Sequence, residues 1–205
     1  MIQKNLYIIR HGETDFNKNG FLQGSSINSS LNDNGRKQAE LFFRAYADIP
    51  FDKIYTSALK RSLQSVQAFA EKGISVEQYA EFNEINWGKM EGDKLNPLSW
   101  IKLRSLAKKW ADGYTSESIA GGESPDDVAK RQKPVIELIL SRKEEHTVLI
   151  CMHGRALRIL ICQLLKLPLD QMDQFKHNNL GLYVLTNNEN QNQFIITKNN
   201  STSHL

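Results

Sequence analysis

One ordering recurs along this chain and constrains its fold more than any other feature: a short apolar run, a small or polar turn, then a helical pattern. The runs are Leu6–Ile9, Lys53–Thr56 and Thr147–Met152. Runs of this length bounded by turns read as buried strands, and strands that alternate with helices predict parallel β-α units. The helical stretches carry apolar stripes. Ala39, Phe42, Phe43 and Tyr46 recur at i, i+3, i+4 and i+7, with Asn32 placed to cap the helix and Asp33 favourable against its dipole. Leu59, Leu63, Val66 and Ala70 mark a second helix. Gly154–Lys166 is apolar almost all round and should be deeply buried.

At 205 residues the chain has room for one domain, 1–205, with a modest insertion. The insertion reads as a helical excursion at about 93–143. It holds a helix from Leu95 to Trp110, a Gly/Ser/Thr-rich loop from Gly113 to Pro125, and a helix to about Arg142 in which Pro134 predicts a kink or break. Gly181–Thr186 and Gln193–Thr197 are joined by an Asn/Gln-rich turn, a connection short enough only for an antiparallel hairpin. These strands offer an edge that could pair in a homodimer. Residues 199–205 are expected to fray. The fold class expected is therefore α/β with a mostly parallel central sheet.

Composition narrows the function. There are 26 basic and 23 acidic residues, a dispersed net charge of +3, so nucleic acid is not an expected partner. No stretch approaches the roughly 20 apolar residues of a membrane span. The first ten residues enter a strand without a signal-peptide layout, so the expected location is cytoplasmic, with no membrane partner. Cys151 and Cys162 lie in apolar runs and read as small buried hydrophobes, not a disulfide framework.

The chemistry lies at the strand ends. The first run leads into Arg10-His11-Gly12-Glu13-Thr14, the second into Ser57-Ala58-Leu59-Lys60-Arg61, and the third into His153-Gly154-Arg155. In a parallel sheet these carboxyl ends open on one crevice, where α/β proteins bind ligands. Two histidines and several arginines there would repel one another unless a strong anion sat among them. Phosphate fits, because it accepts from guanidinium forks and from the N–H groups of helix N-termini. Gly12 and Gly154, each directly after a histidine, predict close approach of backbone to a ligand. His146, His204 and Arg36 lack this context and read as ordinary polar residues. Other phosphate and hydrolase chemistries miss their spacing. A cysteine phosphatase needs Arg six residues after the Cys, and Leu157 stands there after Cys151. Gly-x-x-x-x-Gly-Lys, Gly-x-Ser-x-Gly and His-Glu-x-x-His are absent. Gly122–Asp126 reads as the turn and cap of a helix.

The opening Arg10–Thr14 motif resembles that of the histidine phosphatase superfamily, in the branch that includes cofactor-dependent phosphoglycerate mutases. Ser57-x-Leu59-x-Arg61-x-x-Gln64 is similar to the family's second motif, Phe82-Asn83-Glu84 with Gly88 and Glu91-Gly92 to its third, and His153-Gly154 to its fourth. Gln23-Gly24, with Leu31 and Gly35, resembles the intervening substrate loop. The resemblance covers nearly the whole chain and implies a three-layer α/β/α fold. It implies that His11 is the nucleophile and carries a phosphohistidine. A neutral imidazole is required for attack, and neighbouring cations disfavour its protonated form. Arg10, Arg61 and His153 would bind the phosphoryl oxygens, with Asn17 a further donor and Gln23, Gly24 and Gly154 lining the substrate side. Glu84 would protonate the leaving alkoxide and then deprotonate water. No metal or other cofactor is required, because guanidinium groups supply the positive charge.

Departures from the family pattern bear on specificity. Phe16 stands where Trp is common, Asn28-Ser29-Ser30 replaces an Asp-x-Pro, and Arg155 follows His153-Gly154 where mutases carry Asn. The long mutase insertion with its paired arginines has no match between Asp93 and Arg131. The expected function is a metal-independent phosphatase acting on a small phosphorylated metabolite. A phosphoglycerate mutase is the alternative, and a non-catalytic phospholigand binder stands third.

Overall fold

The computed structural model describes residues 3–188 and 193–205. Its strands are β1 (Asn5–Arg10), β2 (Lys53–Ser57), β3 (Val76–Tyr79), β4 (Thr147–Met152), β5 (Leu182–Asn188) and β6 (Gln193–Ser201). They form one sheet in the order β3-β2-β4-β1-β5-β6, parallel from β3 to β1 and antiparallel at β5 and β6. The Asn/Gln-rich turn falls largely outside the described residues. The helices are α1 (Asp15–Lys18), α2 (Asp33–Tyr46), α3 (Lys60–Glu71), α4 (Pro97–Ala111), α5 (Pro125–Ser141) and α6 (Gly154–Leu165).

The two-residue period of a strand explains the layering. Leu6 and Ile8 of β1, with Val148, Ile150 and Met152 of β4, face one apolar cluster; Tyr7, Ile9, Leu149 and Cys151 face the other. Helices α2 and α3 cover the second face with Phe42, Val66 and Phe69. Helices α5 and α6 cover the first with Val135, Ile139, Leu157, Leu160 and Ile161. This is a three-layer α/β/α sandwich, and such fully covered strands read as continuous apolar runs. Residues 93–143 thus divide in two: α5 belongs to a covering layer, while α4 reaches that layer's core through Leu106, Ala107 and buried Trp110 and leaves Leu98, Trp100 and Ile101 exposed.

Local signals account for the boundaries. The Asn32 side chain accepts from the Gly35 N–H at 2.8 Å and starts α2. Ser124 and Asp127 form a reciprocal capping box that starts α5, as the Gly122–Asp126 turn predicts. Two expectations need correction. Pro134 neither breaks nor ends α5, which runs unbroken to Ser141. The proline is exposed, so the carbonyl of Lys130 that loses its helical donor lies on the solvent side. Residues 199–205 do not fray: β6 extends to Ser201, and His204 packs edge-on against Phe42 and Tyr46, with ring centroids 5.2 and 5.5 Å apart. Strand β3 gave no readable signal, because Val76-Glu77-Gln78-Tyr79 is a short, half-polar edge.

Register positions the site. Arg10 pairs with Met152 across β1 and β4, and Thr56 pairs with Cys151 across β2 and β4. The residues that follow, His11, Ser57 and His153, therefore leave the sheet side by side at its carboxyl edge.

Candidate active site

His11 and His153 sit with ring centroids 5.0 Å apart, both buried. His11 Nδ1 lies 2.7 Å from the Gly12 carbonyl oxygen. A carbonyl only accepts, so Nδ1 carries the hydrogen and Nε2 keeps its lone pair. Burial holds the His11 pKa well below the usual imidazole value, and the Arg61 and Arg10 charges add to the effect. The neutrality argued from neighbouring cations thus has a larger cause, loss of water. The Asn179 side chain donates to the His11 carbonyl at 2.9 Å.

Arg61 is fully buried at the start of α3. Its Nη1 donates to the Ile27 carbonyl at 2.6 Å and its Nη2 to that of Gly24 at 3.2 Å. Its Nε lies 3.2 Å from His153 Nδ1. With its amide oxygen turned to Arg61, Gln23 accepts from Nε at 2.7 Å and donates to Thr14 Oγ1 at 2.8 Å. Desolvation pushes the Arg61 pKa down to about 10, opposed first by the Glu84 charge. His153 joins His11 and Arg61 at the carboxyl edge of the sheet. Its Nδ1 accepts from Arg61 and its Nε2 donates to Ser57 Oγ at 2.7 Å. Both nitrogens have protein partners here, and the contact with Arg61 ties the orientation of that guanidinium to His153.

Arg10 ends β1. Its Nη1 donates to the His177 carbonyl at 2.9 Å and lies 3.2 Å from His177 Nδ1, while its buried Nε has no partner among the described residues. Burial, then Arg10 and Arg158, lower the His177 pKa to about 3. Asn17 closes a capping box with Thr14 at α1. Its Oδ1 accepts from the Thr14 hydroxyl at 3.1 Å, and its amide nitrogen has no partner among the described residues.

Glu84 follows the 3-10 turn Ala80–Phe82. Its carboxylate accepts from the N–H groups of Ala156 (2.9 Å), Arg155 (3.1 Å) and Ile85 (3.0 Å). It therefore caps the N-terminus of α6, the helix that begins directly after His153. Arg131 holds this loop from beneath, donating to the Asn83 and Glu84 carbonyls at 3.0 and 3.1 Å. At both glycines that follow a histidine, protein also leaves no room for a side chain. A Cβ at Gly12 would come 2.7 Å from the Gly35 carbonyl oxygen, and one at Gly154 would meet the His177 ring at 3.1 Å. Among the described residues, the atoms lying against these glycines are the Gly35 carbonyl and the His177 ring.

Reading the sequence missed His177, Asn179 and Arg131. No local motif marks them. They reach the site from distant segments and act largely through backbone carbonyls.

A mostly parallel α/β sheet whose carboxyl edge gathers two neutral histidines, two arginines and a carboxylate defines a class of phosphoryl-handling α/β proteins. The model of the histidine phosphatase superfamily (branch 1) matches residues 6–200, and the chain belongs to that superfamily. It is 31% identical over 178 residues to the protein of Erwinia tasmaniensis named "Probable phosphoglycerate mutase GpmB", covering 86% of this chain and 82% of that one. It is 29% identical over 201 residues to phosphoserine phosphatase 1 of Hydrogenobacter thermophilus, covering 98% and 93%. Mycobacterial glucosyl-3-phosphoglycerate phosphatase has the same fold, with a TM-score of 0.83 at 24% identity over 98% of this chain and 100% of that one. The chain is thus an enzyme of histidine phosphatase type. Among the described residues, no helix is long and apolar enough to cross a membrane.

Proposed function

We propose that this protein hydrolyses a small phosphorylated metabolite of the cytoplasm through a phosphohistidine on His11. The observation that carries this reading is the His11 imidazole, neutral, tied through Nδ1 and flanked by two buried guanidinium groups. Its Nε2 attacks phosphorus as the ester P–O bond breaks. Glu84 delivers a proton to the leaving alkoxide. Water then attacks the phosphohistidine, Glu84 takes back a proton, and the P–N bond breaks to restore neutral His11. The charge spread over the phosphoryl oxygens is met by Arg61, held by His153, by the unpartnered Nε of Arg10, and by the Asn17 amide. Gln23 and Gly24 fix the Arg61 fork from the substrate side. These guanidinium groups do the work a metal does elsewhere, so the reaction is assigned as metal-independent.

The test is chemical trapping. Protein treated with phosphorus-32-labelled substrate and quenched in alkali should hold acid-labile phosphate, and His11→Ala should hold none and lose turnover. Equal labelling of the variant would reassign the nucleophile. The second reading, a phosphoglycerate mutase, is favoured by the 31% identity to the Erwinia relative. Release of inorganic phosphate outpacing interconversion of 2- and 3-phosphoglycerate supports the hydrolase; the reverse supports the mutase.

A further inference from the structure

Directly after the reacting residues, two arginines share one carboxylate oxygen. Arg155 and Arg158, on the first turns of α6, both donate through Nη1 to Asp173 Oδ1, from the 3-10 turn Leu169–Gln174. The pairing leaves a surplus positive charge. It also leaves most of the guanidinium donors idle. Among the described residues, neither side chain has a second hydrogen-bond partner, and Arg158 Nε is buried with none. Arg155 is held in place by Trp110, whose ring centroid lies 5.0 Å from its guanidinium carbon. Two partly desolvated guanidinium groups facing one acid are ordinarily a costly arrangement unless further acceptors arrive.

Their position says which acceptors. The backbone N–H of Arg155 is bonded to Glu84, the group assigned to the leaving oxygen. Arg158 is close enough to lower the pKa of Arg10, and Glu84 raises that of Arg158. The cluster therefore flanks the leaving-group side of the phosphoryl site. The Asp173 side chain remains about one-third exposed, against 14% for Arg155 and 16% for Arg158. Of the three side chains it is the most open to solvent, and so the one an incoming anion would displace.

We propose that Arg155 and Arg158 form a second anion subsite, with Asp173 as its resident counter-ion, which selects phosphomonoesters carrying a carboxylate on the leaving group. The assignment rests on the phosphatase reading and goes beyond it. A planar carboxylate matches two guanidinium forks better than a hydroxyl or an ammonium does. It also supplies the charge that the shared aspartate leaves unmet.

The experiment compares matched substrates: 3-phosphoglycerate with glycerol 3-phosphate, and O-phosphoserine with O-phosphoethanolamine. Wild-type protein should favour the carboxylate-bearing member of each pair at least tenfold in kcat/KM. Arg155→Gln should cut that preference at least tenfold, chiefly by raising KM for the acids. Equal kcat/KM within both pairs overturns the subsite while leaving the phosphatase reading intact. So does a variant that loses all four substrates in proportion along with a fall in Tm, because the Arg-Asp-Arg cluster is then only a brace between α6 and the 3-10 turn. If wild-type protein releases phosphate from none of the four, nor from p-nitrophenyl phosphate, the phosphatase reading falls and takes the subsite with it.

Discussion

At the residue scale the site works by taking water away. His11 is 3% exposed and His153 and Arg61 are fully buried, so each charge or dipole there acts without solvent screening. Burial keeps the imidazole unprotonated, and it commits the guanidinium of Arg61 to the few acceptors within reach. Arg61→Ala should lower kcat/KM by roughly 10²–10³-fold, the range seen when one transition-state donor is removed. Steady-state kinetics on folded variant, checked by circular dichroism, reads this; a loss under tenfold would mean the phosphoryl charge is met elsewhere. His11, Arg10, Arg61 and Glu84 were legible in the sequence because each sits in a short run of fixed spacing. The commitment of His153 to Ser57 and Arg61 was not, since it depends on which side chains meet after three strands are aligned.

At the element scale, helix starts and strand ends share the labour. The N-terminus of α6 fixes the Glu84 carboxylate with two N–H groups, and the turn before β5 brings Asn179 to His11 and His177 to Arg10. Leu180 there takes a left-handed backbone, φ 52°, while wholly buried, a conformation leucine adopts only where packing compels it. The proline inside α5 offers a cleaner test. Pro134→Ala restores an N–H to the helix without touching the core, and should raise stability by about 1–3 kcal/mol. Urea denaturation would show this as a higher midpoint at unchanged slope. No gain would mean that the proline's rigidity in the unfolded chain offsets its missing bond. Most strands and helices were readable from period and caps, whereas β3 and the anchored tail were not. An edge strand borrows its stability from the neighbour it pairs with, and His204 finds its aromatic seat on α2 across 158 residues.

At the scale of the whole molecule, two histidines buried in neutral form tie folding to pH. Both have pKa values well below 6.5 in the fold, while in the unfolded chain they titrate near 6.5. Above that pH neither state binds the protons and the histidines make no difference. As pH falls below it, the unfolded chain gains protons that the folded one refuses, so stability is lost by up to about 1.4 kcal/mol per pH unit for each histidine. Urea midpoints at pH 7.5, 6.0 and 5.0 should therefore decline progressively. A flat profile across that window would show that these imidazoles are protonated in the folded state.

The sequence by itself determined the sheet's parallel core, the helices that cover it, and the histidines and arginines at the strand ends, because apolar period and motif spacing are local properties. Only the tertiary structure decided that Gly12 and Gly154 make room for protein, that His153 meets Arg61, and that Arg155 and Arg158 converge on Asp173. Those facts arise where segments far apart in the chain are packed together, and the cost of burying a charge depends on the neighbours packing supplies.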